Sequence, residues 1–504
     1  MMSLLAEPKA PAGGVVDGRH LTGERRLRAD VCVIGSGAGG APVAALLAQA
    51  GAKVIVLEDG QAFHTAQLTA RPRDMTATLY RDAGQFSTLG TPPIMLPTGR
   101  AVGGTTLVNS GTCFRAPDAL LQRWKDELGL EEDLAPFYER AEATLHVAQV
   151  PEHLAGANAR IAKRGADALG WSGDFLHRNA RGCVGSGVCA FGCPTGAKLH
   201  AGAAYMEDAH AAGAITYACT RAQRIVIEKG EARGVQARAR GGGRVLVSAP
   251  QVVLAAGALH TPLLLAASGV AHPDLGRHLT IHPCTAAWAI MDEVVDMARG
   301  VPQSYGIDEF ADEGLMLEGI AGPPDYLAMA VPFSGDAHRE LMLSYRNVAQ
   351  FGLMLSETSR GHVATNALAR RGGRPLVRYD LDDRDARTVK RGVERLAEML
   401  FAAGAKRVIL PIATVPQLRD GDLAPLRDAS VRARDLKLMA FHPLGTAQMG
   451  RVTDVHGAVR GVEGLHVADG AAVPGPLGVN PQMTIYALAL RMAERLKGAP
   501  ACRS

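Results

Sequence analysis

The sequence predicts an α/β protein in which a Rossmann-like nucleotide domain is joined to an α+β substrate domain with a mostly antiparallel sheet. Three observations carry this. A β-branched run ends in glycines and opens an alanine-rich helix, Asp30-Val-Cys-Val-Ile-Gly35-Ser-Gly37-Ala-Gly-Gly40 followed by 41–50. A second apolar run, Lys53-Val-Ile-Val-Leu-Glu58, ends on an acid. Alternating apolar segments then fill the middle of a 504-residue chain, which is longer than one core supports, so two lobes are expected.

The first stretch builds a phosphate site. Gly35 permits the tight turn after the strand, Gly37 lets backbone approach a pyrophosphate, and Gly40 lets helix and strand pack closely. The helix N-terminus adds unpaired N–H groups and the positive end of a dipole. Glu58 stands about 20 residues on, where a carboxylate accepts from an adenosine ribose. Strand, glycine turn, helix, strand and acid together read as a dinucleotide site.

Composition narrows the class. With 47% hydrophobic and 21% charged residues the chain is globular, and a net charge of +4 without any block of like charge gives no case for nucleic acid. The opening 18 residues lack a signal-peptide pattern, and the longest apolar run, 252–270, is broken by His260, Thr261 and Pro262, so no membrane span and a cytoplasmic location are expected.

In chain order, residues 1–28 are expected to be a surface tail or strap. The stretch after Glu58, with Arg71-Pro-Arg and Thr91-Pro-Pro, reads as a lid or cofactor cover. It leads to Gly99-Arg100-Ala-Val-Gly103-Gly104-Thr105-Thr-Leu-Val-Asn109-Ser-Gly111, where small residues crowd as if backbone pressed against something flat. Leu120, Leu121 and Trp124, then Leu134, Phe137, Tyr138 and Ala141, have helical spacing and are expected to pack on the substrate side. Arg221 to Glu228, Gly234 onward and Val245-Leu-Val-Ser read as a strand meander returning to the nucleotide sheet at Val252. Glu340-Leu-Met-Leu-Ser-Tyr, Val363-Ala-Thr and Pro375-Leu-Val-Arg-Tyr read as strands of the middle sheet, covered by a helix from Asp383 to Ala403 with acids at its start.

Taken together, Gly35 to Glu58, Gly99 to Gly111, Val252-Val-Leu-Ala-Ala-Gly257-Ala-Leu-His-Thr-Pro262 and the run from His442 to Arg491 resemble a glucose-methanol-choline flavin oxidoreductase. The resemblance implies FAD as the dinucleotide, held by one domain assembled from separated segments. The expected division is a tail at 1–28, an FAD domain from 29–120, 181–282 and 436–500, and a substrate domain from 121–180 and 283–435. Arg100, Gly103, Gly104, Thr105 and Asn109 would lie along the flavin, and Gly257 near the adenine half.

Cys183, Cys189 and Cys193 form C-x5-C-x3-C-P in a glycine-rich loop. Converging thiolates are what an iron-sulfur cluster needs, and three suit a [3Fe-4S] centre. The spacing resembles the cluster loop of some bacterial sugar dehydrogenases of the superfamily, whereas a related loop in long-chain alcohol and sterol oxidising members holds no cluster. Both readings stand, metal ligands or a structural thiol loop.

Phe441-His442-Pro-Leu-Gly fixes a histidine between Pro and Gly. The resemblance places His442 over the flavin N5 edge as general base, and the chemistry asks for one, because hydride leaves an alcohol carbon most easily as the hydroxyl proton departs. Asp469 and Gly470 end a short buried strand and point to the ribityl or pyrophosphate region. Gly478-Val-Asn480-Pro481-Gln-Met483-Thr484 reads as a helix start with Asn480 as N-cap and Pro481 as first residue. By resemblance Asn480 also orients the alcohol, with Pro481, Met483 and Thr484 beside the cofactor. His278 and His282 match another family segment near the flavin and are read as structural or cofactor-contacting.

The activity implied is oxidation of an alcohol to an aldehyde or ketone by a dehydrogenase passing electrons to an acceptor protein or quinone, through the cluster on the metal-ligand reading of the thiol loop. An oxygen-using oxidase and a non-oxidative flavin lyase are the alternatives. Leu315-Met-Leu and Phe351-Gly-Leu-Met-Leu read first as sheet core and second as the wall of a greasy pocket.

Overall fold

The computed structural model describes residues 14–366 and 374–497. Of the expected tail, residues 1–13 lie outside the described residues, as do 498–500 of the expected FAD domain. Val31–Ile34 and Val54–Leu57 are buried along their whole length, as unbroken apolar runs are when both faces of a parallel sheet are covered. They sit at the centre of a six-stranded parallel sheet in the order Gly14–Asp17, Ile215–Ala218, Val54–Leu57, Val31–Ile34, Gln251–Leu254, Leu465–Val467. One sheet is thus assembled from both ends and the middle of the chain.

On one face lie the helices Gly40–Gln49 and Gln482–Lys497, packed on each other. The other face carries a four-stranded sheet in the order Glu24–Arg28, Arg244–Ser248, Glu231–Ala239, Thr220–Glu228. The expected meander is there, and residues 14–28, expected to belong to a surface tail or strap, contribute two strands. Gly14–Asp17 completes the edge of the parallel sheet, and Glu24–Arg28 pairs in parallel with Arg244–Ser248. Edge strands are half solvated, so their sequences carry no apolar signature.

The second lobe is a seven-stranded antiparallel sheet, in the order Gln417–Arg419, Arg407–Ile409, Cys284–Ile290, Val348–Leu355, Leu315–Gly319, Tyr305–Ile307, Gly173–Phe175. The helix Asp383–Ala402 covers it, its first turn capped by Asp382 accepting from the Asp385 N–H at 2.7 Å, and Glu152–Leu169 packs beside it.

Two further expectations are corrected. Glu340 to Leu343 belong to the helix Gly335–Leu343, with Tyr345 in a 3-10 turn, and the strand starts only at Val348. Glu, Leu and Met favour helix, and three alternating apolar positions are too few to decide a period. The helices Asp118–Leu128 and Ala135–Thr144 do form, yet Leu120, Trp124, Leu134, Tyr138 and Ala141 share a core with Gly40–Gln49 and Gln482–Lys497, on the nucleotide side. Periodicity says which face of a helix is buried and not what buries it. Val363 and Val377 face each other in a separate two-stranded ribbon.

Candidate active site: a dinucleotide cradle opening onto a buried histidine pair

A single cavity of about 1850 Å³ runs from the carboxyl ends of the parallel strands to the antiparallel sheet. Its nucleotide end is made by the glycine turn. Gly35 takes φ 99°, and a Cβ on it would collide with the Ala255 carbonyl, while a Cβ on Gly40 would strike the Gly35 carbonyl. Gly37 differs, because a Cβ there would meet nothing nearer than Gly104 Cα at 3.8 Å and would project into the cavity. Gly257, with φ 84°, borders the same space with no atom within 4 Å of a would-be Cβ.

Glu58 lines this end with its oxygens already engaged. Oε2 accepts from Ser36 N–H at 3.1 Å and Ser36 Oγ at 2.7 Å, and Oε1 from Gly60 N–H at 2.7 Å. It therefore braces the turn, and burial raises its pKa. Asp469 acts alike on the far side, its Oδ2 accepting from Gly257 N–H at 2.7 Å and Thr261 Oγ at 2.6 Å, and its Oδ1 from Ala471 N–H at 2.7 Å. Sequence reasoning passed over Asp59. It pairs with Arg81 at 2.8 Å and Arg100 at 3.0 Å, and although burial opposes ionisation these cations hold it down to about 2. Arg100 thus reaches Asp59 and does not line the cavity, and nor do Gly40, Gly103, Met483 or Thr484. Met483 and Thr484 are core, Thr484 bonding the Tyr138 hydroxyl at 2.9 Å.

Gly104, Thr105, Asn109, Gly470 and Pro481 border the middle of the cavity. Thr105 Oγ accepts from Gly99 N–H at 3.1 Å, and Asn109 Nδ2 donates to Gln482 at 2.9 Å. The helix begins one residue later than expected, with Pro481 O accepting the first bond from Ile485 N–H at 3.0 Å. Asn480 therefore caps nothing with its side chain. Its Nδ2 donates to Glu318 Oε2 at 3.4 Å, and its Oδ1 has no partner among the described residues.

Beside it stand two imidazoles, His282 fully buried and His442 half-buried where it borders the cavity. His442 Nδ1 lies 3.2 Å from His282 Nδ1, with the rings edge to face at 78°. Burial lowers His442 to about 4 and holds His282 well below its ordinary value, so both are neutral at neutral pH. Glu357, also buried, accepts from Ile281 N–H at 2.6 Å and His282 N–H at 3.1 Å and fixes that backbone. His278 turns away to Asp274 at 2.8 Å. Beyond this polar end the wall is apolar, with Trp288, Ile320, Tyr326, Leu353, Met354 and Met439. Leu315 and Leu317 are core, whereas Leu353 and Met354 line the cavity, so each reading of those strands holds for part of them.

The chain matches the N-terminal model of the GMC oxidoreductases over residues 76–284 and the C-terminal model over 357–489. It is 41% identical to an uncharacterized GMC-type oxidoreductase of Mycobacterium tuberculosis over 482 residues, covering 93% of this chain and 76% of that one. The chain belongs to the GMC oxidoreductase family.

This GMC oxidoreductase is also 27% identical, over 94% of its length and 67% of the relative's, to a long-chain-alcohol oxidase of Arabidopsis thaliana. Among solved structures, pyridoxine 4-oxidase from Mesorbium loti aligns with TM-score 0.72 and 18% identity over 92% of this chain and 98% of that one, and formate oxidase from Aspergillus oryzae with 0.72 and 15% over 94% and 98%. At such identities they establish the fold. FAD is the family's dinucleotide, and the space before Gly37 and Gly257 fits it.

The cysteine loop does not fit a cluster. Among the described residues no group of three or more His, Cys, Asp or Glu stands in a metal-holding arrangement. Cys183, Cys189 and Cys193 border a void of only about 10 Å³, the room of a single water. Their sulfurs are engaged elsewhere, Cys189 with Arg178 at 3.1 Å, Cys183 with Gly185 N–H at 3.5 Å and Cys193 with Thr195 Oγ at 3.4 Å. The loop is instead a brace. Lys198, 2% exposed, donates to the carbonyls of Leu107 and Cys189 at 2.9 Å each and to that of Asn109, and Arg178 reaches Ser110 O at 2.8 Å. These bonds hold 107–111 in place along the cavity. Among the described residues no helix is long and apolar enough to cross a membrane.

Sequence reasoning missed Glu318, Glu357 and Lys198. Glu318 sits in an otherwise apolar strand, the one visible signal among them.

Proposed function

We propose that this GMC oxidoreductase oxidises an apolar alcohol to an aldehyde or ketone with bound FAD. When bound, FAD supplies the hydride acceptor. Gly35, Gly37, Glu58, Gly104, Gly257 and Asp469 shape the site for it. His442 and Asn480 would flank the alcohol hydroxyl, with His442 governing loss of its proton, as the sequence reading has it. The observation carrying this is the continuity of one cavity, from the glycine turn to a buried imidazole pair and amide at the foot of an apolar wall. The name of the Arabidopsis relatives supports a long aliphatic chain as that alcohol.

The test is bleaching of the flavin by a panel of aliphatic, aromatic, sterol and sugar alcohols under anaerobic conditions. A long aliphatic alcohol should bleach fastest, and bleaching by none would sink the reading. His442→Ala should keep FAD and lose about 10²- to 10⁴-fold in reduction rate. On the electron acceptor, the relatives named oxidases support oxygen over the dehydrogenase expected from sequence. Rapid reoxidation of reduced flavin by dissolved oxygen would assign an oxidase, and slow reoxidation a quinone or protein acceptor.

A further inference from the structure

In the apolar arm of the cavity stands a polar side chain whose hydrogen-bonding capacity is unspent among the described residues. Gln350 lies in Val348–Leu355, a strand buried along its whole length, and is itself 3% exposed. Asn158 serves its backbone, accepting from Gln350 N–H at 2.8 Å and donating to the Gln350 carbonyl at 2.8 Å. Its side-chain Oε1 is buried without a partner among the described residues, and the polar atom that it brings to the cavity is Nε2. An amide can be turned over, so its surroundings decide which atom meets the cavity. Directly opposite, on the strand Cys284–Ile290, Trp288 carries an indole N–H that is also buried without a partner. A stranded donor there favours oxygen on the protein side of the amide and nitrogen on the cavity side.

Other polar side chains of this arm are occupied. Thr285 Oγ donates to the Lys437 carbonyl at 2.8 Å, Gln303 is bonded to both Glu318 and Thr112, and the Tyr326 hydroxyl reaches the Met439 sulfur at 3.7 Å. Sheet register fixes where Gln350 stands among them. Gly352 pairs with Ala286 on one side and Glu318 on the other, and Glu318 accepts from Asn480, so that row belongs to the catalytic end. Gln350 and Trp288 form the next row on the same face, farther from His282 along the sheet. Two residues of strand advance about 7 Å, which a carbon chain of about five or six bonds spans. An all-carbon chain lying over this row takes the amide N–H groups from water and gives them nothing in return. An oxygen at the same place pairs with one of them.

We infer that Gln350 is a specificity-determining residue, whose amide donates to an ether, hydroxyl or carbonyl oxygen carried by an otherwise apolar alcohol about 7 Å from its carbinol carbon. The inference rests on the alcohol-oxidation reading and narrows its substrate class, from a plain apolar chain to one bearing a single acceptor at a set distance.

The test is a scan of linear ether alcohols in which one oxygen replaces each methylene in turn. The isomers share a composition, so they differ only in where the oxygen falls. Second-order rates of anaerobic flavin reduction in the holoenzyme should peak at the isomer that sets its oxygen against Gln350, about 3- to 10-fold above the neighbouring isomers. In Gln350→Met the peak should vanish. Isomers are compared within one variant, so any loss of flavin or stability cancels from the ratio, which a merely structural role would leave unmoved. A flat wild-type profile, or a peak at another distance, overturns the inference, and this holds whether or not the variant folds. A peak that survives in Gln350→Met overturns the assignment to this residue. The same series built on tertiary carbinols, which have no hydride to give, reports affinity through the flavin difference spectrum without turnover. If no primary alcohol bleaches the flavin while the tertiary series keeps its peak, the oxidation reading fails and the Gln350 subsite stands.

Discussion

Single residues here separate by what stands where an added atom would go. A Cβ on Gly40 runs into the Gly35 carbonyl, so Gly40→Ala should lower the melting temperature with or without FAD. A side chain on Gly37 meets only cavity, so Gly37→Val should leave the apoprotein's melting temperature unchanged while flavin content after purification drops. These roles were legible because glycine spacing reports backbone geometry directly. The role of Glu58 was less so, since its turn-bracing bonds to Ser36 and Gly60 depend on how two strands are set side by side. Glu357 was not legible at all. Burial raises it from an ordinary 4.5 to about 7. Between those values the folded chain holds a proton that the unfolded chain has lost, so stability falls as pH rises through the window. Glu357→Gln, which keeps an acceptor for Ile281 and His282, should flatten that fall by about 1 to 3 kcal/mol in pH-resolved thermal melts.

At the scale of elements, the cysteine loop shows how far a spacing can mislead. Three thiols in a glycine-rich loop suit a cluster on paper, but the backbone turns each sulfur toward a different neighbour and leaves space for one water. What the loop does is hold 107–111, through a buried cation bonded to three carbonyls. Lys198→Met should strand those carbonyls and cost about 3 kcal/mol or more. The reactivity of Cys189 and Cys193 toward a thiol reagent should rise with it, and unchanged reactivity would argue against the brace. The helix Gly335–Leu343 carries the opposite lesson, that a short alternation yields to helix formers once tertiary packing offers a partner.

Across the whole molecule, the nucleotide sheet draws strands from residues 14 to 467, and the cavity touches both lobes. A ligand gripped that way stabilises the folded chain by mass action. Removing FAD should lower the melting temperature, and restoring it at 100 times its dissociation constant should return about 2.7 kcal/mol. If added FAD left the melt unmoved, binding across the lobes would be refuted.

The sequence by itself determined the parallel sheet, the glycine turn, the meander and the helix over 383–402, because each is written in local spacing: glycines at fixed offsets, unbroken apolar runs, a capped amphipathic period. Tertiary structure alone decided that 14–17 and 24–28 are edge strands, that two helices serve the nucleotide side, and that the thiols part company. It also decided that His282, Glu318 and Glu357 gather around His442 and Asn480. Those five residues are spread over nearly 200 positions, and the energy that brings them together lies in burial and in hydrogen bonds between distant strands, which no local window contains.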